Sequence, residues 1–257
     1  MEEIKVHDGF VRLVDTMPQA DLDGAVVQAA RVSYATGTKA SRSDEGLIRY
    51  LMRHWHNTPF EMVEFKFHIK MPIFVARQHL RHRMASVNEM SARYSVVPDE
   101  YFEPDEYRQQ SSTNKQSSEG VLEISDELKA SLCTSKDWAF KLYNDLLQEG
   151  CSRELARCHL PQSTYTEFYW KINLHNLMHY LQLRMEPGAQ LEIREYANAI
   201  HDLVVNKAPL TMKAFRDFRL DSIQLSGVEI ECIKNKTVPT SPGEKREFLE
   251  KMERLGL

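Results

Sequence analysis

Glycine is scarce, ten in 257 residues, and the chain holds neither a G-x-G-x-x-G nor a G-x-x-x-x-G-K-S/T string. That excludes the Rossmann turn and the Walker loop, both of which need glycine to bring backbone amides against phosphate. Any nucleotide-like cofactor must then be held by side chains. The four cysteines, Cys133, Cys151, Cys158 and Cys232, form no C-x-x-C pair, so neither a zinc ribbon nor a thioredoxin-type redox site is indicated. Cys158 and His159 are adjacent, and neighbours on a helix do not face each other, which disfavours a nucleophile–base dyad. No H-E-x-x-H occurs, and His54 and His56 stand two apart, a spacing that cannot aim both rings from one helix at one metal. No apolar run approaches the length of a bilayer span, and Met1-Glu2-Glu3 opens with acids where a signal segment would be basic. The expectation is a cytoplasmic protein without a membrane partner. A large positive charge is missing too: the formal net charge is −4, which argues against broad nucleic-acid binding.

The cations that are present cluster. Residues 77–93 hold four arginines and two histidines, no lysine, and one carboxylate, Glu89. A solvated basic face usually mixes both cations, whereas arginine alone suits planar, bidentate recognition of phosphate or carboxylate. Asn88, Glu89, Ser91 and Arg93 follow in a stretch with weak helical patterning, as a function-bearing loop would. The competing reading is a surface helix followed by a polar turn.

Periodicity gives the scaffold. A short strand is expected over residues 10–17, then a helix capped by Asp21 or Asp23 running towards Ser33. Ser43 caps the next helix, ending near His56. Residues 60–71 alternate as a strand, with Val63, Phe65, Phe67 and Ile69 on one face. Pro72 breaks it and starts a helix over 73–83, in which Arg77 and Arg81 share one face and Gln78 and His82 the next. Polar residues 109–120 read as an insertion or mobile loop. Helices are expected over 124–148 and 152–160, a strand over 164–172, then helices over 173–184, 189–207 and from Pro209 to about 218. On the 173–184 helix Leu174, Leu177, Met178 and Leu181 make the buried stripe, His175 and His179 flank one margin, and Asn173, Tyr180 and Arg184 the other. Ser241-Pro242-Gly243-Glu244 is a capping signal for a terminal helix with Phe248, Leu249, Met252 and Leu255 on one stripe. The fold class is α+β, a small mixed or antiparallel sheet packed with long helices. Two parts are expected, residues 1–220 and a 221–257 extension carrying an amphipathic helix.

Five blocks in order resemble the flavin-dependent thymidylate synthase family: Ala30-Arg31-Val32-Ser33; His56-x-Thr58-Pro59-Phe60-Glu61; Arg81-His82-Arg83 followed by Ser86-x-Asn88-Glu89-x-Ser91-x-Arg93-Tyr94-Ser95; Arg157-x-x-Leu160-Pro161; and Asn173-x-His175 through Leu183-Arg184. The resemblance implies methylation of dUMP to dTMP, with methylenetetrahydrofolate as carbon donor, hydride from reduced FAD, NADPH as reductant, and a homotetramer with shared active sites. It implies FAD contacts at Ser33, Thr58, Glu61, Arg81, His82, Arg83, Glu89, Asn173, Leu174, His175 and His179. It implies dUMP contacts at Gln78, His79, Leu80, Arg81, Glu89, Met90, Ser91, Ala92, Arg93, Arg157 and Arg184. Catalytic roles fall to Arg184, against the pyrimidine, and to His56, which with Tyr94 lies near the exposed flavin face. Ala92 stands where glycine is common in the family, and Gly188 where histidine is frequent. Two other readings compete: an RNA-binding protein using the arginine segment, and a zinc hydrolase using His54, His56 and His82.

Overall fold

The computed structural model describes residues 2–33, 43–112 and 117–257. The chain begins with β1 (Glu2–Val6) and β2 (Gly9–Met17), then α1 (Leu22–Arg31), α2 (Asp44–Arg53), the single turn α3 (Thr58–Glu61) and β3 (Glu64–Pro72). α4 (Ile73–His79), β4 (Ser86–Glu89) and the pair β5 (Arg108–Gln110) and β6 (Ser118–Val121) follow. After α5 (Asp126–Gln148) and the turn α6 (Arg153–Ala156) come β7 (Tyr165–Asn173), α7 (Leu174–Arg184), α8 (Leu191–Val205) and α9 (Pro209–Phe215). α10 (Gly227–Asn235) and α11 (Pro242–Leu255) close the chain. The main sheet runs β1-β2-β3-β7-β4 and every pairing in it is antiparallel.

The alternation expected of β3 holds: Phe65, Phe67, Ile69 and Met71 are fully buried, while Glu64, Lys66, His68 and Lys70 are half-buried. On β7, Phe168, Trp170 and Ile172 join that buried face, and α4, α7 and α8 pack around it. β3 starts at Glu64 rather than residue 60 because Pro59 sits in the first turn of α3, where its fixed φ and missing N–H suit a helix start. Asp21 caps α1 by accepting from Gly24 N at 3.0 Å. Asp23 does something else. Its buried carboxylate accepts from Leu210 N, Thr211 N and Thr211 Oγ1 at 2.8, 2.9 and 2.6 Å, capping α9.

The helix expected over 73–83 stops at His79. The chain then turns tightly, with Arg81 N donating to Gln78 O and His82 N to His79 O, so Arg77 and Arg81 do not share one helix face. The loop expected over 109–120 carries the paired strands β5 and β6; residues 113–116 lie outside the described part.

Two compact units are present, Met1–Lys213 and Ala214–Leu257. In the second, Cys232, Phe248 and Met252 form a small core with Leu225, and Lys251 Nζ meets Glu229 Oε1 at 2.7 Å. The capping box falls on α10, at Ser226 and Glu229. Ser241 precedes α11 without a side-chain cap bond, and Pro242 takes the first helical position, where its fixed φ and missing N–H are tolerated. Leu249 and Leu255 are exposed, so the terminal stripe narrows to the i, i+4 pair Phe248 and Met252.

One glycine is dictated by packing. A Cβ on Gly9 would lie 2.2 Å from Tyr196 Oη and 2.3 Å from the Lys70 carbonyl oxygen. Gly9→Ala is therefore expected to destabilise the fold by about 1–3 kcal/mol, read as a lower urea midpoint; an unchanged midpoint contradicts this packing.

Candidate active site

Where β3 meets α4 and β7 meets α7, an aromatic floor forms under the arginine segment. His79 is fully buried, its Nδ1 2.9 Å from Tyr180 Oη, and its ring packs edge-on against Trp170 and Tyr180. Tyr180, expected on a helix margin, is likewise fully buried. The His79 side chain is thus a core group, and among the residues expected to meet a nucleotide it has only backbone to offer. Leu174, expected at the FAD, is likewise fully buried, with its N–H bound to Val63 O at 2.8 Å.

Above this floor a pocket of about 330 Å³ gathers Arg81, His82, Arg83, His179 and Arg184, together with Asn176, Met84, Ile172 and Leu183. Arg184 is held from two sides: its Nε donates to His82 Nε2 at 3.0 Å, and its Nη2 to the Gln78 carbonyl oxygen at 3.2 Å. A guanidinium only donates, so His82 carries its proton on Nδ1. Burial first, then the Arg184 charge and His179, lower the His82 pKa from 6.5 to about 4. Burial, then His82 and Arg184, lower that of His79 from 6.5 to about 3. One guanidinium sits beside two neutral imidazoles.

Those two rings make the fold acid-sensitive. Unfolding returns each to its ordinary value, so between about pH 6.5 and 3 the unfolded chain binds more protons. The stabilisation is complete above about pH 6.5 and is lost as pH falls through about 4 and then about 3. Urea midpoints should drop from pH 7 to pH 4; a flat profile contradicts the buried neutral pair.

A second set lies elsewhere in the same unit. His56, Thr58 and Ser33 line a cavity of about 1190 Å³ with Tyr50, Trp55 and Asn57. Trp55 is 57% exposed at φ 59°, the left-handed region that costs a bulky residue about 1–2 kcal/mol. It occupies the turn after α2, where His56 N reaches back to Leu51 O at 3.0 Å. Sequence reasoning passed over Trp55, since nothing in its neighbours signals that backbone state. Glu61 is half-buried beside this set.

A third set follows β4. Glu89 accepts from Thr166 Oγ1 at 2.6 Å, Met90 N donates to Glu167 O at 2.8 Å, and Tyr94 is 76% exposed. The Ala92 methyl packs against the Val97, Tyr143 and Ala156 cluster, which gives the departure from glycine a place. Arg93 pairs with Glu154 at 3.2 Å, and Arg157 stands exposed in the turn just beyond. Neither Arg93, Arg157 nor Ser91 lines the Arg184 pocket.

Asn173 caps α7, its Oδ1 accepting from Asn176 N at 2.9 Å, which commits that oxygen to the helix. His175 is half-buried on the first turn of α7. At the other departure, Gly188 N donates to Glu186 Oε2 at 3.0 Å. Asn176, Gln190 and Glu192 were not anticipated. The one available clue was Asn176 at the cap spacing from Asn173.

An antiparallel α+β unit that collects arginine and histidine in one pocket, without a glycine cradle, is built to grip an anionic, flat ligand by side chains. Residues 12–210 match the family described as Thymidylate synthase complementing protein. The flavin-dependent thymidylate synthase of Dictyostelium discoideum is 51% identical over 258 residues, covering 96% of this chain and 84% of that protein. A flavin-dependent thymidylate synthase of Thermus thermophilus is 52% identical over 231 residues, covering 90% and 84%. Among solved structures, a UMP/dUMP methylase from Streptomyces cacaoi bound with 5-Br dUMP superposes with a TM-score of 0.74 at 36% identity, covering 83% of this chain and 97% of that one. The chain belongs to the flavin-dependent thymidylate synthases, a family of enzymes. Among the described residues, no helix is long and apolar enough to cross a membrane.

Proposed function

We propose that this chain converts dUMP to dTMP, using methylenetetrahydrofolate as carbon donor, FAD as hydride carrier and NADPH as reductant, in a cytoplasmic homotetramer. The observation that carries this reading is the Arg184 guanidinium, clamped by His82 and the Gln78 carbonyl in one pocket with Arg81 and Arg83. The donor set fits a flavin dinucleotide: the exposed guanidinium forks of Arg81 and Arg83 suit a diphosphate, and His82 and His179 offer flat, polar edges to a ring. When bound, FAD supplies the hydride that, with the folate methylene, completes the new methyl group.

The chain's own residues bind and orient. Arg184 keeps a cation at the pyrimidine, where it stabilises negative charge developing on the ring. Neutral His82 fixes that cation without competing for it. Gln78, Glu89, Ser91, Arg93 and Arg157 hold the nucleotide, and the backbone around His79, Leu80, Met90 and Ala92 frames it. Ser33, Thr58, Glu61, Asn173 and His175 extend the FAD surface, and His56 with Tyr94 faces the folate.

Two observations support shared sites. The pocket of about 330 Å³ is smaller than a dinucleotide, and the nucleotide set is divided between the Arg184 pocket and the Arg93–Arg157 patch. A neighbouring protomer would bring the missing half. Residues 1–220 make up the catalytic part in this reading, and 221–257 an extension.

Thymidylate formation measured with each of the four small molecules omitted in turn tests the assignment. Product should require dUMP, the folate, flavin and NADPH. Product formed without the folate would refute the carbon donor.

A further inference from the structure

Gln78 is tied to a buried charge that none of the expected contacts includes. Its Nε2 donates to Gln190 Oε1 at 2.6 Å. Gln190 Nε2 in turn donates to Glu192 Oε2 at 2.7 Å, and Arg108 Nη2 donates to Glu192 Oε1 at 2.6 Å. Glu192 is 4% exposed in the first turn of α8. Arg108, on β5, is itself braced by Ser118 Oγ at 2.9 Å. Four residues thus form one line from a hairpin remote in sequence to a residue beside Arg184.

The line has a direction. An ionised carboxylate only accepts and a guanidinium only donates. Burial alone would push the Glu192 pKa up, but Arg108, the backbone and Gln190 outweigh it and hold the group below its ordinary value. With Glu192 ionised, Gln190 must turn its NH₂ group to the carboxylate. Its carbonyl oxygen then faces Gln78, and only the NH₂ group of Gln78 can answer. The Gln78 side-chain oxygen is what remains for a ligand.

We propose that Glu192, paired with Arg108 and acting through Gln190, orients the Gln78 amide so that its oxygen accepts a hydrogen bond from the substrate nucleotide. Glu192 and Gln190 are positioning residues. A hydroxyl or ring N–H is the complementary ligand chemistry, and a phosphate oxygen is not. The inference rests on the dUMP reading of Gln78 given above.

Glu192→Gln removes the polarity, because an amide there can donate or accept and lets Gln190 and Gln78 flip together. In the full-length, FAD-loaded enzyme, KM for dUMP should rise about two- to tenfold, the worth of one neutral hydrogen bond. The turnover number should stay within about twofold, since the reacting groups are untouched. Gln190→Leu cuts the line while leaving the Glu192–Arg108 pair, and should give the same rise; it carries the test if Glu192→Gln fails to fold. In a Gln78→Ala background neither change should add anything, because their route is gone. Unchanged KM in Gln190→Leu, or a rise that persists in full without Gln78, overturns the proposal. A wild-type enzyme whose flavin absorbance ignores added dUMP refutes the nucleotide reading, and this inference with it; wild-type binding with unaffected variants refutes the inference alone.

Discussion

Arg184→Ala should lower thymidylate formation by at least about a hundredfold while leaving flavin bound. Removing a fixed donor or charge aimed at developing negative charge costs about 2.7–4 kcal/mol, and Arg184 is well placed for that task. Its guanidinium is anchored on protein atoms, one bond running to His82 and one to the Gln78 carbonyl. The cation is thus set in place before the substrate arrives. The flavin should remain because the other cations of the pocket, Arg81 and Arg83, are untouched. Arg184→Lys should recover only part of the rate, since an ammonium cannot meet an imidazole nitrogen and a carbonyl with a planar fork. The loss should fall on the turnover number and on kcat/KM together, as for an interaction made in the transition state. Near-normal turnover in Arg184→Ala would refute the ring-polarising role.

The second large effect is expected at Arg81. It is exposed in the turn after α4 and lines the same pocket as Arg184. In the proposed reading it touches both FAD and dUMP. A charge-assisted hydrogen bond contributes about 1.5–3 kcal/mol, so Arg81→Ala should weaken each ligand by about tenfold to a hundredfold. Equilibrium dialysis of FAD and a dUMP titration of the flavin-saturated protein measure the two separately. Loss of one affinity without the other would assign Arg81 to a single ligand. Stability should barely change, because an exposed arginine contributes little to the fold.

How much of this was legible in the residues depends on the range of the interactions. Alternation in β3 was plain because one face of the sheet is buried and the other is not. The stripe of Leu174, Leu177, Met178 and Leu181 was equally plain, since i, i+3 and i+4 neighbours form one surface. Contacts between distant segments left no such trace. Tyr180 looked like a margin residue because its partner, His79, is 101 positions away. Asp23 looked like a local cap but serves an α9 segment 187 and 188 positions on. Gln190 showed no sign of its bond to Gln78, 112 positions earlier. The helix expected through residue 83 ended early in a tight turn, with Arg81 N donating to Gln78 O and His82 N to His79 O, which sequence periodicity does not encode. Site residues were named from family blocks, while their partners came from tertiary packing.

The absorbance spectrum of the native protein, taken before and after adding dUMP, tests the central claim most directly. A flavin spectrum that dUMP perturbs, with FAD released on denaturation, is the predicted result. A colourless protein that cannot be reconstituted with FAD, or a bound flavin indifferent to dUMP, would contradict the convergence of Arg81, His82 and Arg184 on cofactor and nucleotide.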